Sequence, residues 1–445
     1  MRLSRHVVVY RDVAPGEHVL YDVLSDRSVG VDEAGLAAVA RWADAAPSEA
    51  ERESADALRD LGMVVDGAGE DASRLSLAEA RAHQGAGSRT LVTLLPTLAC
   101  NLACTYCIQK DTPEAEPMGD ETEAATVAFV LGRVDAARSP RLTVLYIGGE
   151  PLARKDVLRR TARAFAEGMR ARGGTFDWEL TTNGVGLRPE LVRELLACGP
   201  GAIKVTLDGH RETHDAARVR RNGRGTFDEI FDNLVAVAAA CPEVELRVGG
   251  NFREGQEASY ERLLDALERA GLRGRLASVR FKPVIDTRSC ASCDGGAQAD
   301  ELVQLGRSAR RRGLSPAPDR DGVDALGACE LHWDDAWTID PAGRVYRCFA
   351  MAGRAEMAIG TVFDGVRRSD PLLAGRPWER DPRCGACPFI SVCFGGCLGG
   401  AYLQSGRTDQ VFCRREHFEA TFREAVVRRY LAEFHPQSSD VSRAA

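Results

Sequence analysis

No segment of this 445-residue chain approaches 18 uninterrupted apolar residues, so hydropathy offers no membrane-spanning helix. A secretory signal is missing too, since the opening MRLSRHVVVYRDV holds only a four-residue apolar run, far short of an h-region. Positive charge does not dominate: the formal net charge is -7, which gives nucleic acid no broadly basic face. The one basic run, Arg307, Arg310, Arg311 and Arg312, reads as a solvated helix face, with contact to an acidic partner as the alternative. These absences lead us to expect a cytoplasmic protein with neither membrane nor nucleic acid among its partners. The best-marked motif is also defined by something it lacks. In LPTLACNLACTYCIQKD, residues 95 to 111, Cys100, Cys104 and Cys107 stand at C-x3-C-x2-C without a fourth cysteine or a histidine beside them.

What is present describes a globular chain, long enough at 44% hydrophobic and 28% charged residues for two or three domains with cores of their own. In a reducing compartment fourteen cysteines are better read as metal or catalytic groups than as disulfides. Three lie in the opening motif and seven between Cys329 and Cys413. Cys198 and Cys241 fall in helical apolar stretches and read as ordinary buried residues.

Residues 1–70 read as a small α+β unit, with two β-like runs (HVVVYRDV and HVLYDVLSDRSVGV), a helical stretch (EAGLAAVARWADA) and a second helical piece ending in a short strand. Residues 71–89, rich in Gly, Ala, Ser and charge, suit a linker carrying one short helix. Over 90–285, β-branched runs at RTLVTLLP, RLTVLYIGG, FDWELTTNG, AIKVTLDG, VELRVGGNF and SVRFKPV alternate with helical stretches. Six such units imply a parallel sheet that right-handed crossovers would curl into a partial (β/α)6 barrel, with chemistry at the C-terminal strand ends. Those ends carry the cysteine loop, GGEP, TTNG and LDG in turn. Residues 286–328 form a bridging segment with a helix near 298–312. Residues 329–435 are loop-rich and cysteine-rich, and 436–445 form a frayed tail.

A structural zinc site needs four ligands, usually supplied as two spaced pairs. Three thiolates on one tight loop suit a cubane [4Fe-4S] cluster instead, anchoring three irons and leaving the fourth open. Zinc, or three unrelated thiols, is the competing reading. With Tyr106 just before the last cysteine, on the loop after the first barrel strand, the motif resembles the radical S-adenosylmethionine (SAM) enzymes. By that resemblance SAM chelates the open iron, and its one-electron cleavage gives a 5'-deoxyadenosyl radical. The GGEP segment, Gly148, Gly149, Glu150 and Pro151, is similar to the one that holds the SAM amino group, with Glu150 as a charge-assisted acceptor. An ordinary turn is its plain alternative. Thr182 and Asn183 of TTNG sit where family members contact ribose. The stretch VTLDGHRETHDAARVRRNGRGTF resembles the LDG, HD-x-x-R and G-x-G-T-F pattern of one branch of the family. This resemblance implies that Arg218 grips the SAM carboxylate through two oxygens, that Asp208 orients groups in the radical chamber as the catalytic residue, and that His214 is structural.

The later cysteines run Cys329-x13-Gly343-x4-Cys348, then Cys384-x2-Cys387-x5-Cys393-x3-Cys397, then Cys413. That order is similar to the SPASM extension, which holds two auxiliary [4Fe-4S] clusters and would bring the total to three; a zinc ribbon is the competing reading. By the family pattern Cys384, Cys387, Cys393 and Cys413 hold one auxiliary cluster, and Cys329, Cys348 and Cys397 the other. The position left open falls to Cys290 or Cys293, to a small ligand, or to a substrate thiolate. Anaerobic sulfatase maturases carry an acidic residue directly after the cysteine of G-x4-C. Here Phe349 stands in that place, so sulfatase-type oxidation is not implied.

Residues 1–70 are similar to the winged-helix domain by which many SPASM peptide-modifying enzymes bind a precursor's leader as an added strand. Together these resemblances imply an α/β protein: a partial (β/α)6 barrel with an N-terminal winged-helix-like α+β domain and a C-terminal iron-sulfur domain. They imply a radical SAM oxidoreductase that takes hydrogen from a ribosomally synthesised precursor peptide and installs an oxidative modification or crosslink. A reductant protein such as flavodoxin or ferredoxin would supply electrons. The alternatives are the same architecture acting on a small molecule or a folded protein, and a non-catalytic iron-sulfur or zinc scaffold.

Overall fold

The computed structural model describes residues 1–84, 89–110, 112, 116–284, 295–315 and 329–436. The front of the chain forms β1 (Arg2–Leu3), β2 (Val7–Ala14), β3 (Glu17–Asp22), β4 (Arg27–Asp32), α1 (Glu33–Arg41), α2 (Arg52–Asp60), β5 (Val64–Val65) and α3 (Ala68–Gln84). The run HVLYDVLSDRSVGV is a hairpin rather than one stretch: β3 and β4 pair antiparallel, and Asp26 takes the positive φ of the turn between them. The three strands β2, β3 and β4 make a sheet in that order, while β1 pairs with β5. The expected linker with one short helix instead holds α3, 17 residues long. Polar contacts from distant residues fix it. Asp71 accepts from Arg2 (2.7 Å), from the Ser4 hydroxyl (2.6 Å) and from the Arg5 N–H (3.3 Å), and Arg74 donates to Ser4 and Asp22 (both 2.7 Å).

All six expected barrel strands form, as β6 (Arg89–Leu94), β7 (Arg141–Tyr146), β8 (Thr175–Thr182), β9 (Gly201–Thr206), β10 (Glu245–Phe252) and β11 (Leu276–Pro283). They pair in parallel and in chain order, joined through α4 (Asp120–Ala137), α5 (Lys155–Ala171), α6 (Pro189–Leu196), α7 (Arg211–Ala217), α8 (Phe227–Ala240) and α9 (Glu257–Arg269). Alternation decides which side chains meet the helices. On β8, Phe176, Trp178 and Leu180 enter the helix-side core with Phe165 and Leu195, whereas Asp177, Glu179 and Thr181 face the other way. The Trp178 indole is fully buried, and its N–H donates to Leu195 O (3.0 Å) and Gly199 O (2.9 Å). The sheet stays open: β11 is an edge, and the far side of β6 pairs with β12 (Ala336–Ile339), continuing through β13 (Arg344–Tyr346), β14 (Gly360–Thr361) and β15 (Gly365–Val366) to ten strands. The fold is thus α/β with a large, mostly parallel sheet.

Two expectations need correction. The basic run is not a solvated face throughout, since Arg311 is exposed while Arg307, Arg310 and Arg312 are half-buried and paired. It belongs to α10 (Gly295–Arg311) and the residue beyond, where Arg307 and Arg310 pair with Glu424 of the C-terminal helix Arg415–Phe434, and Arg312 pairs with Asp265 (2.7 Å) and Glu261 (3.0 Å). Its acidic partners come from elsewhere in the same chain, which local charge patterning cannot reveal. Cys241 is buried as expected, but Cys198 is only half-buried because it lies in the turn just past α6. Among the described residues no helix is long and apolar enough to cross a membrane.

The C-terminal helix also closes the front unit. Phe418, Phe422, Val426 and Tyr430 share one core with Tyr10, Val19, Tyr21 and Phe389, and Arg429 grips Asp26 at 2.7 Å. Phe422 is fully buried there, so Phe422→Ala should cost about 3–5 kcal/mol in denaturant unfolding. A loss below about 1 kcal/mol would mean that the helix and the front sheet do not share a core.

Candidate functional site

The cysteine loop leaves β6 at Leu95, whose N–H donates to Ile339 O (2.9 Å), and then runs beside the segment that carries Arg218. Ala103 N–H donates to Val219 O (2.8 Å), Thr105 N–H to Ala217 O (3.0 Å), and Leu102 bridges Arg220. A turn closed by Cys107 N–H on Cys104 O (3.2 Å) gathers the thiols. Burial raises the pKa of Cys100 and lifts Cys104 to about 11; nearby thiols add to both shifts and Arg218 opposes them. Thiols in this state ionise readily only when a cation joins them.

A second backbone lies against the first. Gly148 has a φ of +145°, and a side chain at Gly149 would overlap the carbonyls of Leu98 and Ala99. Gly149 N–H donates to Thr97 O (3.1 Å) and Glu150 N–H to Ala99 O (3.0 Å), which fastens GGEP to the cysteine loop. Glu150 is 2% exposed, and its carboxylate accepts from Leu152 N–H (2.9 Å), the Thr182 hydroxyl (2.7 Å) and Asn183 N–H (2.8 Å). Burial nonetheless pushes its pKa up. Asn183 Nδ2 in turn donates to Asn101 Oδ1 (2.8 Å). Glu150 therefore clamps the ends of β7 and β8 together, and Asn183 joins them to the cysteine loop. Pro151 opens the single 3-10 turn that follows.

Tyr106, Asp208 and Arg218 also meet. The Tyr106 hydroxyl donates to Asp208 Oδ2, Arg218 Nη1 donates to the Tyr106 oxygen (2.6 Å), and the guanidinium lies 3.7 Å from Asp208. Asn251 completes this group: its N–H donates to Asp208 Oδ1 (2.7 Å) and its side-chain amide to the Tyr106 oxygen (2.9 Å). Sequence reasoning missed Asn251, and its one signal was position at the C-terminal end of the fifth barrel strand. Arg218 is buried, and its Nε has no hydrogen-bond partner among the described residues. His214 accepts Asp208 N–H at Nδ1 (3.2 Å). Its Nε2 donates to Thr226 (3.1 Å), because the Thr226 hydroxyl proton goes to Arg218 O (2.7 Å). Burial, aided by Arg218, holds His214 neutral with a pKa of about 3, so its place is structural.

The later cysteines fall into two neighbourhoods. Burial lifts Cys384 to about 11 and Cys393 to about 12, and both also feel Cys387 and Cys413. Cys348 is raised by burial and then by Cys329 and Cys397. Gly395 and Gly396, both at positive φ, let Gly396 bridge Phe412, which brings the Cys393–Cys397 turn beside Cys413. Arg414 feels Cys397, Cys393 and Cys329, and so stands between the two groups. Phe349, next to Cys348, is 39% exposed. Cys290 and Cys293 lie outside the described residues.

All described cysteines are free thiols. Among the described residues no three ligating side chains converge on one point as a single ion would require. A cubane spreads its thiolates over separate irons, and its chemistry fits thiol-only donor sets of this kind. The buried, unpartnered Nε of Arg218 beside the first set likewise fits a carboxylate that joins it from solution.

Residues 94–258 match the family model described as the radical SAM superfamily. The chain is 33% identical over 340 residues to an AdoMet-dependent heme synthase of Methanosarcina barkeri (strain Fusaro / DSM 804), covering 70% of this chain and 91% of that protein. It is 27% identical over 329 residues to the mycofactocin maturase MftC of Mycobacterium ulcerans (strain Agy99), covering 69% and 82%. Among solved structures, Streptococcus suis SuiB bound to precursor peptide SuiA aligns at a TM-score of 0.52 and 12% identity, over 93% of this chain and 98% of that one.

The buried histidines set an acid limit on this architecture. Burial lowers His214 to about 3 and His332 to about 4, so below pH 6.5 the unfolded chain takes up protons that the folded chain refuses. Unfolding free energy should therefore fall from pH 6.5 towards 4 by about 1.4 kcal/mol per pH unit for each histidine. Denaturant titrations at a series of pH values test this, and a flat profile would contradict neutral, buried histidines.

Proposed function

The chain belongs to the radical SAM superfamily, and on that premise we propose that it is a maturase of a ribosomally synthesised precursor peptide. Membership implies SAM and a [4Fe-4S] cluster, and when bound these supply a 5'-deoxyadenosyl radical through one-electron cleavage of the sulfonium. Cys100, Cys104 and Cys107 would hold the cluster. The 148–151 segment would hold the SAM ammonium, Thr182 and Asn183 its ribose, and Arg218 its carboxylate through the unpartnered Nε. Asp208, fixed by Tyr106 and Asn251, would orient groups around the reacting carbon. We assign the two later thiol groups, Cys384, Cys387, Cys393 and Cys413 with Cys329, Cys348 and Cys397, to two auxiliary [4Fe-4S] clusters. An external flavodoxin or ferredoxin would supply the reducing electron.

One observation carries the reading: a three-thiol loop fastened by backbone hydrogen bonds to the segment bearing a buried arginine with a free donor. The peptide substrate is supported by likeness to a mycofactocin maturase and to SuiB, whose structure holds a precursor peptide. In this reading residues 1–70 are a winged-helix-like leader-recognition domain and the exposed edge strand β4 is where a leader would add. The unit 90–285 is the radical barrel and 329–435 the SPASM domain. A second reading has a specific observation behind it, the 33% identity to a heme synthase, and makes the substrate a small tetrapyrrole.

Anaerobic co-expression with the short open reading frame nearest the gene separates the two. A loss of about 2 Da per event on the encoded peptide, two hydrogen atoms, marks oxidative maturation. An unchanged peptide together with turnover of an added porphyrin substrate would replace it with the second reading. Arg218→Lys, which keeps the charge but loses the planar fork, should weaken SAM binding about tenfold or more in anaerobic equilibrium titration. Unchanged affinity would remove Arg218 from the carboxylate role.

A further inference from the structure

Of the chain's 58 lysine and arginine residues only four are lysines, at positions 110, 155, 204 and 282. Two of the four occupy one small region of the parallel sheet, on the face that the crossover helices leave uncovered. Ile203 and Val205 of β9 enter the helix-side core, so Lys204 between them points away from it. On β11 the same alternation puts Val279 and Phe281 towards that core and Arg280 and Lys282 opposite. The strand between them is β10, whose Arg247 registers with Lys204 and whose Asn251 registers with Lys282. The Lys204 stem runs across Gly249, where an added Cβ would stand only 3.2 Å from its Cδ. Asn251 is the residue that braces Tyr106 and Asp208, so this wall continues directly into the radical site.

Among the described residues Lys204 and Lys282 donate no hydrogen bond and form no ion pair, although Glu179 and Glu330 lie near enough to be felt by Lys204. Glu179 is engaged by Arg247 at 3.2 Å. Both lysines are open to solvent and yet crowded by protein. Burial lowers Lys204 to about 8, with the charges of Lys282 and Arg247 adding to the effect, and burial lowers Lys282 against the pull of Asp208. Two ammonium groups on one face of the sheet, with Lys282 near enough to act on Lys204, repel each other until an anion joins them. Arginine serves nearly every other cationic position of this chain, but a compact ammonium on a flexible stem suits a carboxylate that must approach in more than one pose.

We propose that Lys204 and Lys282 form a carboxylate-binding subsite on the β9–β11 wall, which holds an acidic group of the substrate beside Asp208. The subsite deepens the radical-enzyme reading and rests on it. The carboxylate belongs either to a peptide, as an acidic side chain or free C-terminus, or to a small molecule bearing several carboxylates.

The scarcity of lysine makes a direct test practical. The full-length chain, reconstituted anaerobically, is labelled at pH 8 with a limiting amine-acylating ester, and each of the four lysines is read separately by peptide mass spectrometry. Two acid probes are used: a short glutamate-containing peptide with a free C-terminus, and a porphyrin with four propionates. Their controls are the glutamine peptide amide and the porphyrin methyl ester. At about ten times its Kd an acid probe should lower labelling of Lys204 and Lys282 roughly tenfold, leave Lys110 and Lys155 unchanged, and lose this effect in its uncharged control. Whichever acid protects names the source of the carboxylate. Protection by neither acid, or equal protection by the controls, overturns the proposal. Lys204→Gln and Lys282→Gln should each weaken the protecting probe about tenfold in equilibrium binding, and unchanged affinity in both would also overturn it. The same wild-type preparation is assayed for 5'-deoxyadenosine with SAM and reductant. Its absence would defeat the radical reading separately, whatever the labelling shows.

Discussion

The backbone hydrogen bonds between residues 102–105 and 217–220 decide where the rest of this molecule can act. They set a loop of three thiols against a segment drawn from three crossovers later, and with it a buried arginine whose Nε has no partner among the described residues. GGEP fastens to the other side of that loop, possible only because Gly148 and Gly149 leave room for the carbonyls of residues 97–99. Glu150 then draws in the end of β8. Four strand ends far apart in sequence thus become one surface, and loosening any of these joints moves all of the groups it carries.

Electrostatics gives this surface its purpose. Thiols, carboxylates and a guanidinium are packed where water is sparse, and each is tolerated because another compensates it. Burial pushes the cysteines towards their neutral forms, so the clustered thiols gain most when a cationic cluster joins them. Arg218 near the first set and Arg414 between the later two supply positive charge where thiolates would gather. The β9–β11 wall reverses the sign, since Lys204 and Lys282 are both exposed and form no ion pair among the described residues.

Much of this was legible in the order of residues. The β-branched runs announced all six parallel strands, because strand periodicity and buried apolar faces are local signals. Motif spacing identified the strand ends that meet, and Tyr106, Asp208 and Arg218 do lie in one hydrogen-bonded group. What escaped was set by partners distant in sequence. The length of α3 depends on Arg2, Ser4 and Asp22, the pairing of the arginine run on Glu424, and the part played by Asn251 on a tyrosine well upstream in the chain. Lys204 and Lys282 were invisible for the same reason, since nothing in a strand's own sequence says that two lysines on different strands share a wall.

The chain is similar both to an AdoMet-dependent heme synthase and to a mycofactocin maturase, so the fold alone does not name the substrate. The claim beneath all of this is that the loop of Cys100, Cys104 and Cys107 leaves one iron for SAM to occupy. Electron-nuclear double resonance on the reduced, anaerobic protein with SAM enriched in carbon-13 at its carboxylate tests that claim most directly. A hyperfine coupling between the label and the cluster is the expected result. No coupling with SAM saturating, or zinc in place of iron at this loop, would contradict it.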